Sequence, residues 1–196
     1  DQIVKTMTYL KDTMRLSELH EDETEIRFRL HGPVSMANAL RRALLQDVQS
    51  WAPARIDIRT NTSCQPDEYI AHRLGMIPFT QNIEECDDMT LQLCVSDRDA
   101  HTSDIVSDAF QAVQPQEIMS MIPGQALDCT IHMRLSSGRE HSRFCPVAGV
   151  GYEIAPTTDS VLFQFETING QRPTSVLCSA IDSLVKRLDG CKDMMR

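Results

Sequence analysis

The sequence predicts an α+β fold in which two long helices, one near each end of the chain, bracket a middle rich in β-strands. The first observation is the helical spacing of apolar residues over 35–49 and again from Pro173 onward. The second is a strict alternation of apolar and polar residues between the helices, most clearly over 126–135. With 196 residues, the chain is long enough for one substantial domain or two small ones.

The first helix follows a half-buried strand predicted over 25–30, where apolar and charged residues alternate. Pro33 stops that strand, and Ser35 is a candidate cap for the helix. The helical spacing is set by Ala37, Leu40, Leu44 and Val48, and three further residues widen the apolar surface: Met36, Ala43 and Leu45. Such a helix is either central in its own domain or covered on a second face by a partner protein.

The middle of the chain and the second long helix follow from the same two patterns. The predicted strands lie at 55–60, 90–95, 126–135, 150–154 and 161–165, and a short helix is predicted over 105–113. The second long helix begins near Pro173, and Gly190 can terminate it. Its apolar positions are Leu177, Ala180, Ile181, Leu184 and Leu188.

The overall charge argues against direct binding to DNA or RNA. The net charge is -9 and the pI is near 5.1, whereas a nucleic-acid binder usually presents a basic surface. Seven cysteines, an odd number without paired spacing, indicate a reducing compartment rather than a disulfide framework. No apolar run approaches the roughly 20 residues that a membrane-spanning helix needs, so no membrane is expected as a partner.

The segment 67–79 invites a catalytic interpretation, because His72 lies close in sequence to the carboxylates of Asp67 and Glu68. A histidine beside carboxylates can act as a general base, but no serine or cysteine nucleophile lies at a diagnostic spacing. The favoured interpretation is that His72 and Arg73 donate to backbone carbonyls or to a neighbouring chain. The residues expected to anchor the segment are Tyr69, Ile70, Leu74, Met76 and Ile77. No catalytic residue is therefore predicted.

No metal or cofactor site is predicted either. A structural zinc site needs about four converging ligands, usually with paired spacing. Cys64 stands alone and Cys86 and Cys94 are too far apart in sequence to form such a pair. The glycines never take the spacing of a phosphate-binding loop, so a nucleotide cofactor has no support.

Several motifs together resemble one family. MANALRRALL at 36–45 resembles the first helix of the alpha-like subunits of multi-subunit DNA-directed RNA polymerases, which include bacterial alpha and its archaeal and eukaryotic third-subunit relatives. TNTS at 60–63 and IAHRLGMIP at 70–78 are similar to the archaeal and eukaryotic branch in the same order and spacing. The resemblance continues through REHSRFCPVA at 139–148, where Cys145 replaces the usual serine, and extends from about residue 16 to residue 190.

This resemblance implies a discontinuous dimerisation domain, 1–50 plus 149–196, interrupted by an inserted β-rich domain, 51–148. It implies a non-catalytic assembly platform that pairs with a small alpha-like subunit, of the subunit L or eleventh-subunit type. The pair then docks the two large catalytic subunits, and DNA and RNA are reached only through the complex. Some relatives carry a zinc loop or an iron–sulfur insertion, but only Cys86 and Cys94 remain here, so no metal is expected.

The residues expected to contact other subunits are spread over both long helices and the 67–79 segment: Asn38, Leu40, Arg41, Arg42, Leu44, His72, Arg73, Leu177, Ile181, Leu184 and Leu188. The expected location is intracellular and reducing: the nucleus of a eukaryote, the cytoplasm of an archaeon, or the cytoplasm or virion of a virus. Two other functions stay open at this point. They are a stand-alone protein-interaction or nucleic-acid adaptor and a small Cys/His enzyme.

Overall fold

The computed structural model describes residues 15–79, 89–94, 103–106, 117–154 and 160–194. Along the chain its elements are β1 Arg15–Glu21, β2 Glu25–His31, α1 Val34–Gln46, β3 Gln49–Asn61, α2 Asp67–Gly75, β4 Met89–Cys94, β5 Ser103–Val106, β6 Glu117–Met121, β7 Ala126–Ser137, a 3-10 helix Ser142–Phe144, β8 Val147–Ile154, β9 Ser160–Thr167 and α3 Pro173–Asp193. The predicted α+β class is confirmed.

The contacts divide the chain into two compact units. The terminal unit contains Asp1–Val48, Ser137–Arg139 and Cys145–Arg196, and the central unit contains Gln49–Ser136 and Glu140–Phe144. Residues 137–139 and 145–148, which the sequence-based division places in the middle of the chain, therefore group with its ends, and residues 49–50, which it places with the ends, group with the middle.

The terminal unit packs α1 and α3 against an antiparallel sheet, whose described strands run in the order β1-β2-β9-β8. In the two central strands alternate side chains are buried, and Phe28 pairs with Phe163 with ring centroids 5.2 Å apart. The helices complete the core with Ala37, Leu40, Ala43 and Leu44 from α1 and Val176, Leu177 and Ala180 from α3. Burial of this apolar surface is the main force that holds the unit together.

Helix α1 differs from its predicted form at both ends. It begins at Val34 with Pro33 at the N-cap and no side-chain cap, so Ser35 lies inside the first turn and the prediction that it caps the helix is wrong. The helix ends at Gln46, earlier than predicted, because Gln49 already belongs to β3. None of its large apolar side chains is exposed. Helix α1 is therefore central in its own unit.

Helix α3 extends 21 residues, from Pro173 to Asp193. It continues through Gly190, so the prediction that this glycine ends the helix is wrong. At its start the backbone N–H of Thr174 donates to Glu21 Oε1 at 3.0 Å. Glu21 thus supplies from β1 the acceptor that the first turn of a helix lacks.

We expect Glu21→Gln to destabilise the chain at neutral pH, by an amount that shrinks in acid. Hydrogen bonding to Thr174 holds the pKa of Glu21 below its ordinary value of 4.5. A carboxylate with a lowered pKa contributes its full stabilisation above its ordinary pKa and loses it as the pH falls through the folded-state pKa. Urea denaturation from pH 7 to pH 3 measures this. Glu23→Gln is the control, since Glu23 is exposed and forms no hydrogen bond with another described residue; equal pH dependence in both variants would refute the role of Glu21.

In the central unit the described strands form one sheet in the order β3-β7-β4 and a separate pair, β5-β6. Helix α2 contributes Ile70 and Leu74 to a core that also contains Ile77, Phe79, Met121, Leu127, Cys129 and Ile131. Tyr69 and Met76 are exposed, so the expectation that they anchor this segment is wrong. Helix α2 packs one side on the core, and Tyr69 and the C-cap residue Met76 lie away from that side.

The helix predicted over 105–113 is also wrong in its first residues. Ile105 and Val106 belong to β5, whose register pairs Ile105 with Met119 of β6. Backbone pairing between strands here overrides a weak helical pattern. Residues 107–113 lie outside the described residues. Within the described residues, no helix is both long and apolar enough to span a membrane.

Candidate protein interfaces

Helix α3 has apolar side chains at helical spacing beyond the part of the helix that is buried in the core. Its first half is anchored by the buried residues Val176, Leu177 and Ala180. Leu184 is half-buried against the core, and every described side chain from position 185 to position 194 is exposed. Three large apolar residues of this helix are nevertheless exposed, namely Ile181 (37%), Val185 (49%) and Leu188 (44%). We call these three residues together with Leu184 the α3 stripe.

The spacing of the α3 stripe places its residues on one side of the helix. Positions 181, 184, 185 and 188 follow the i, i+3, i+4, i+7 pattern of a helix that packs against another surface. At 3.6 residues per turn, the line from Ile181 to Leu188 lies roughly a quarter turn from Ala180, which faces the core. Leu177 lies on the same side of the helix and is buried in the core, so the stripe continues this side of α3 into the exposed half of the helix. The stripe is the candidate interface of α3, because contiguous exposed apolar side chains are a feature of protein-interaction surfaces.

Three of the predicted interface residues are already occupied by intramolecular packing. Leu40, Leu44 and Leu177 are buried in the core of the terminal unit. They hold α1 and α3 on the sheet, and in this arrangement they offer no surface to another protein. The proposed interaction surface therefore does not include them.

On the polar side of α1, two residues form intramolecular hydrogen bonds and one is exposed without such a bond to a described residue. The hydroxyl of Tyr152 donates to Asn38 Oδ1 at 2.9 Å, and Arg41 Nε donates to the carbonyl of Val150 at 3.1 Å. Both contacts connect α1 to β8. Arg42 is exposed, and its side chain forms no hydrogen bond or ion pair with another described residue. Of the two arginines, Arg42 is the one available to another protein.

His72 and Arg73 lie in the central unit, on the exposed side of α2 that also carries Tyr69 and Met76. Arg73 Nη1 donates to the hydroxyl of Tyr69 at 3.2 Å, and the guanidinium lies 5.8 Å from the centroid of the tyrosine ring. This stacking holds the cation in place while leaving it exposed. We call these four residues the α2 face.

Two of the described thiols do not have the pKa shift of a catalytic nucleophile. Burial raises the pKa of the Cys129 thiol to about 11, and it also raises the pKa of Cys145. A nucleophilic cysteine needs the opposite shift, because the thiolate is the reactive form. His141 accepts a hydrogen bond from the backbone N–H of Arg143 at 3.2 Å, and His72 is exposed. Within the described part of the chain no group of three or more His, Cys, Asp or Glu side chains could hold a metal ion, and Cys86 lies outside that part.

The comparison with known proteins decides the family. The sequence model described as the RNA polymerase Rpb3/Rpb11 dimerisation domain matches residues 31–188. The chain belongs to this family. The resemblance to the alpha-like polymerase subunits is thereby confirmed, as are the assignments to transcription and to a dimerisation fold.

Individual relatives of the Rpb3/Rpb11 family support the same assignment. The chain is 27% identical to "DNA-directed RNA polymerases I and III subunit rpac1" of Dictyostelium discoideum, over 85% of this chain and 59% of the relative. It is 34% identical to "DNA-directed RNA polymerase subunit Rpo3" of Pyrococcus furiosus, over 65% and 54%, and 28% identical to subunit RPAC1 of Bos taurus, over 72% and 54%. The chain therefore spans between 54% and 59% of the length of these relatives.

Two residues that the structure places at or next to the candidate interface, Val185 and Asp47, are not among the interface residues predicted from the sequence. Val185 is four positions after Ile181, so extending the i, i+3, i+4 pattern would have found it. Asp47 had no such signal, because the arginines that contact it, Arg139 and Arg187, are 92 and 140 positions away in sequence.

Proposed function

We propose that this chain is a non-catalytic assembly subunit of a DNA-directed RNA polymerase, serving DNA-templated transcription. It pairs with a small alpha-like subunit of the subunit L or eleventh-subunit type, and the pair docks the two large catalytic subunits. The main observation in support of this proposal is the α3 stripe, an exposed apolar surface on the half of α3 that extends beyond the core of the terminal unit. Membership of a family described by dimerisation supports it.

The terminal unit, corresponding to the proposed dimerisation domain, presents the stripe to the small subunit. The partner's matching surface is an apolar helix side, because ridges and grooves of two helices interdigitate when apolar side chains recur every three to four residues. Ile181, Val185 and Leu188 form the centre of that contact, and Leu184 links it to the core of the unit. Contacts at the centre of an interface contribute most of the binding free energy.

The large catalytic subunits contact the polar surfaces. Arg42 is exposed on α1, and the α2 face exposes His72 and Arg73. Arginine forms forked, charge-assisted hydrogen bonds with carboxylates and carbonyls of a partner. DNA and RNA are reached only through the complex, since a net charge of -9 disfavours direct contact with phosphates.

The rival functions have weaker support. A nucleic-acid adaptor would need a basic surface, and a Cys/His enzyme would need a thiol with a lowered rather than a raised pKa. A stand-alone interaction protein would use the same α3 stripe, so only the identity of the partner separates it from a polymerase subunit. The proposed location is reducing and intracellular, in the nucleus if the source is eukaryotic and in the cytoplasm if it is archaeal.

Affinity purification of the tagged chain from its native source, followed by mass spectrometry, tests the proposal. The expected result is recovery of two very large subunits together with one small alpha-like subunit. Cross-links from the small subunit to α3 would support the assignment of the stripe. Recovery of the chain alone, or with proteins unrelated to transcription, would contradict the proposed function.

Arg42→Ala should weaken docking of a large subunit while the chain stays folded and paired with the small subunit. Truncating a buried interface arginine costs about 2–5 kcal/mol, which is roughly a 30-fold loss or more. Arg41→Ala is the matched control, because Arg41 is occupied by the carbonyl of Val150. Size-exclusion chromatography of the assembled subunits measures the effect. Full-sized complex at normal yield from Arg42→Ala would exclude the docking role.

A further inference from the structure

A shielded carboxylate connects the exposed half of α3 to α1. Asp47 is the C-cap residue of α1, and its side chain is only 7% exposed. One carboxylate oxygen accepts a hydrogen bond from Arg139 at 2.6 Å, and the other accepts one from Arg187 at 2.6 Å. The two arginine side chains are 63% and 55% exposed, so they cover the carboxylate from the solvent side. Charge-assisted bonds of this kind are the stronger ones in proteins.

Arg187 lies on the core-facing side of α3, in the half of the helix that no longer has buried apolar residues. It lies seven residues after Ala180, about two helical turns further on the same side. Beyond Arg187, no described side chain of α3 forms a hydrogen bond or ion pair. The bond between Asp47 and Arg187 is thus the last described polar connection that fixes the rotation of this half of the helix.

Arg139 fixes the position of Asp47 through two contacts at the end of α1. The backbone N–H of Arg139 donates to the carbonyl of Gln46 at 3.2 Å, which satisfies one of the carbonyls that a helix leaves without a partner at its C-terminus. The side chain of the same residue holds Asp47. Two connections from Arg139 therefore fix Asp47 at the end of α1, and the fixed carboxylate can act as a reference point for Arg187.

We propose that Asp47 is a positioning residue for subunit pairing: through Arg187 it fixes the rotation of the exposed half of α3 and so presents the α3 stripe to the small subunit. This inference rests on the proposed function, which supplies the partner. Without the ion pair, no described side chain of residues 185–193 forms a hydrogen bond or ion pair with another element of the unit. Half a helix without packing is marginally stable in water, and ordering it on binding reduces the affinity.

The test substitution is Asp47→Asn, which keeps the shape of the side chain and removes its charge. We expect amide hydrogen exchange at residues 185–193 to become about tenfold faster in the full chain alone. We expect the dissociation constant for the small subunit to rise about tenfold. Arg187→Gln should produce the same two changes, and combining it with Asp47→Asn should add nothing, because the ion pair between Asp47 and Arg187 is already lost in either single variant.

Asp189→Asn is the matched control, since Asp189 is an exposed aspartate of the same half-helix and forms no hydrogen bond with another described residue. It should leave both measurements unchanged. Unchanged exchange at 185–193 and unchanged affinity in Asp47→Asn would overturn the inference, even if the unfolding temperature fell. Failure of the unsubstituted chain to bind the small subunit would instead overturn the proposed function, and the exchange measurement, which needs no partner, would still decide the role of Asp47.

Discussion

The double substitution Ile181→Asp and Leu188→Asp is expected to abolish pairing with the small alpha-like subunit. Both side chains are large, apolar and exposed, so the change removes no core packing from the chain itself. In the complex it replaces two central apolar contacts with buried, unpaired charges. Central interface residues contribute about 2–4 kcal/mol each, and burying a charge without a partner costs more. The expected loss of affinity is therefore at least about 1,000-fold.

Isothermal titration calorimetry with the purified small subunit measures this loss, and circular dichroism of the variant checks that it is folded. The matched control is Ser179→Asp with Lys186→Asp. These positions are exposed, are spaced seven apart like Ile181 and Leu188, and lie on the opposite side of α3. The control adds at least as much negative charge and should pair normally. Equal affinities for the two double variants would show that the α3 stripe is not the pairing surface.

The predicted fold was most reliable where one local pattern is strong and agrees with the tertiary packing. Alternation over 25–30 and over 126–135 identified β2 and β7, because one face of each strand is buried. Helix ends were harder. Gly190 is a common helix terminator, but a glycine with open space around it can continue a helix at modest cost, and α3 continues past it.

The interface is harder to predict than the fold, because one side of a helix can be buried in one turn and exposed in the next. Leu177 and Ile181 are both apolar and only four positions apart, yet Leu177 is buried in the core and Ile181 is exposed. What separates them is how far along α3 the core of the unit extends, and no local pattern contains that information. The same holds for Arg41 and Arg42, because the sequence does not show that β8 offers a carbonyl to Arg41.

Gly138→Ala is expected to destabilise the terminal unit by about 3 kcal/mol, near the upper end of the usual cost of overpacking. A Cβ atom at this position would overlap the backbone carbonyl oxygen of Leu45, and it would lie 3.2 Å from the carbonyl carbon. The obstacle is backbone near the end of α1, so no side-chain rotation can relieve it. Displacing the turn would also break the bond from the N–H of Arg139 to Gln46 and move Arg139 away from Asp47.

Gly190→Ala is the matched control with the opposite expected sign. Outside the neighbouring helix backbone, no heavy atom lies within 4 Å of a Cβ placed at Gly190, which is inside α3. Alanine is favoured over glycine in a helix by about 1 kcal/mol, so this variant should be more stable than the unsubstituted chain. Urea denaturation of the full chain, followed by far-ultraviolet circular dichroism, measures both free energies of unfolding. If Gly138→Ala unfolds at the same urea concentration as the unsubstituted chain, the turn at 138 can move away from α1 without cost, and it cannot be the fixed support that Asp47 requires.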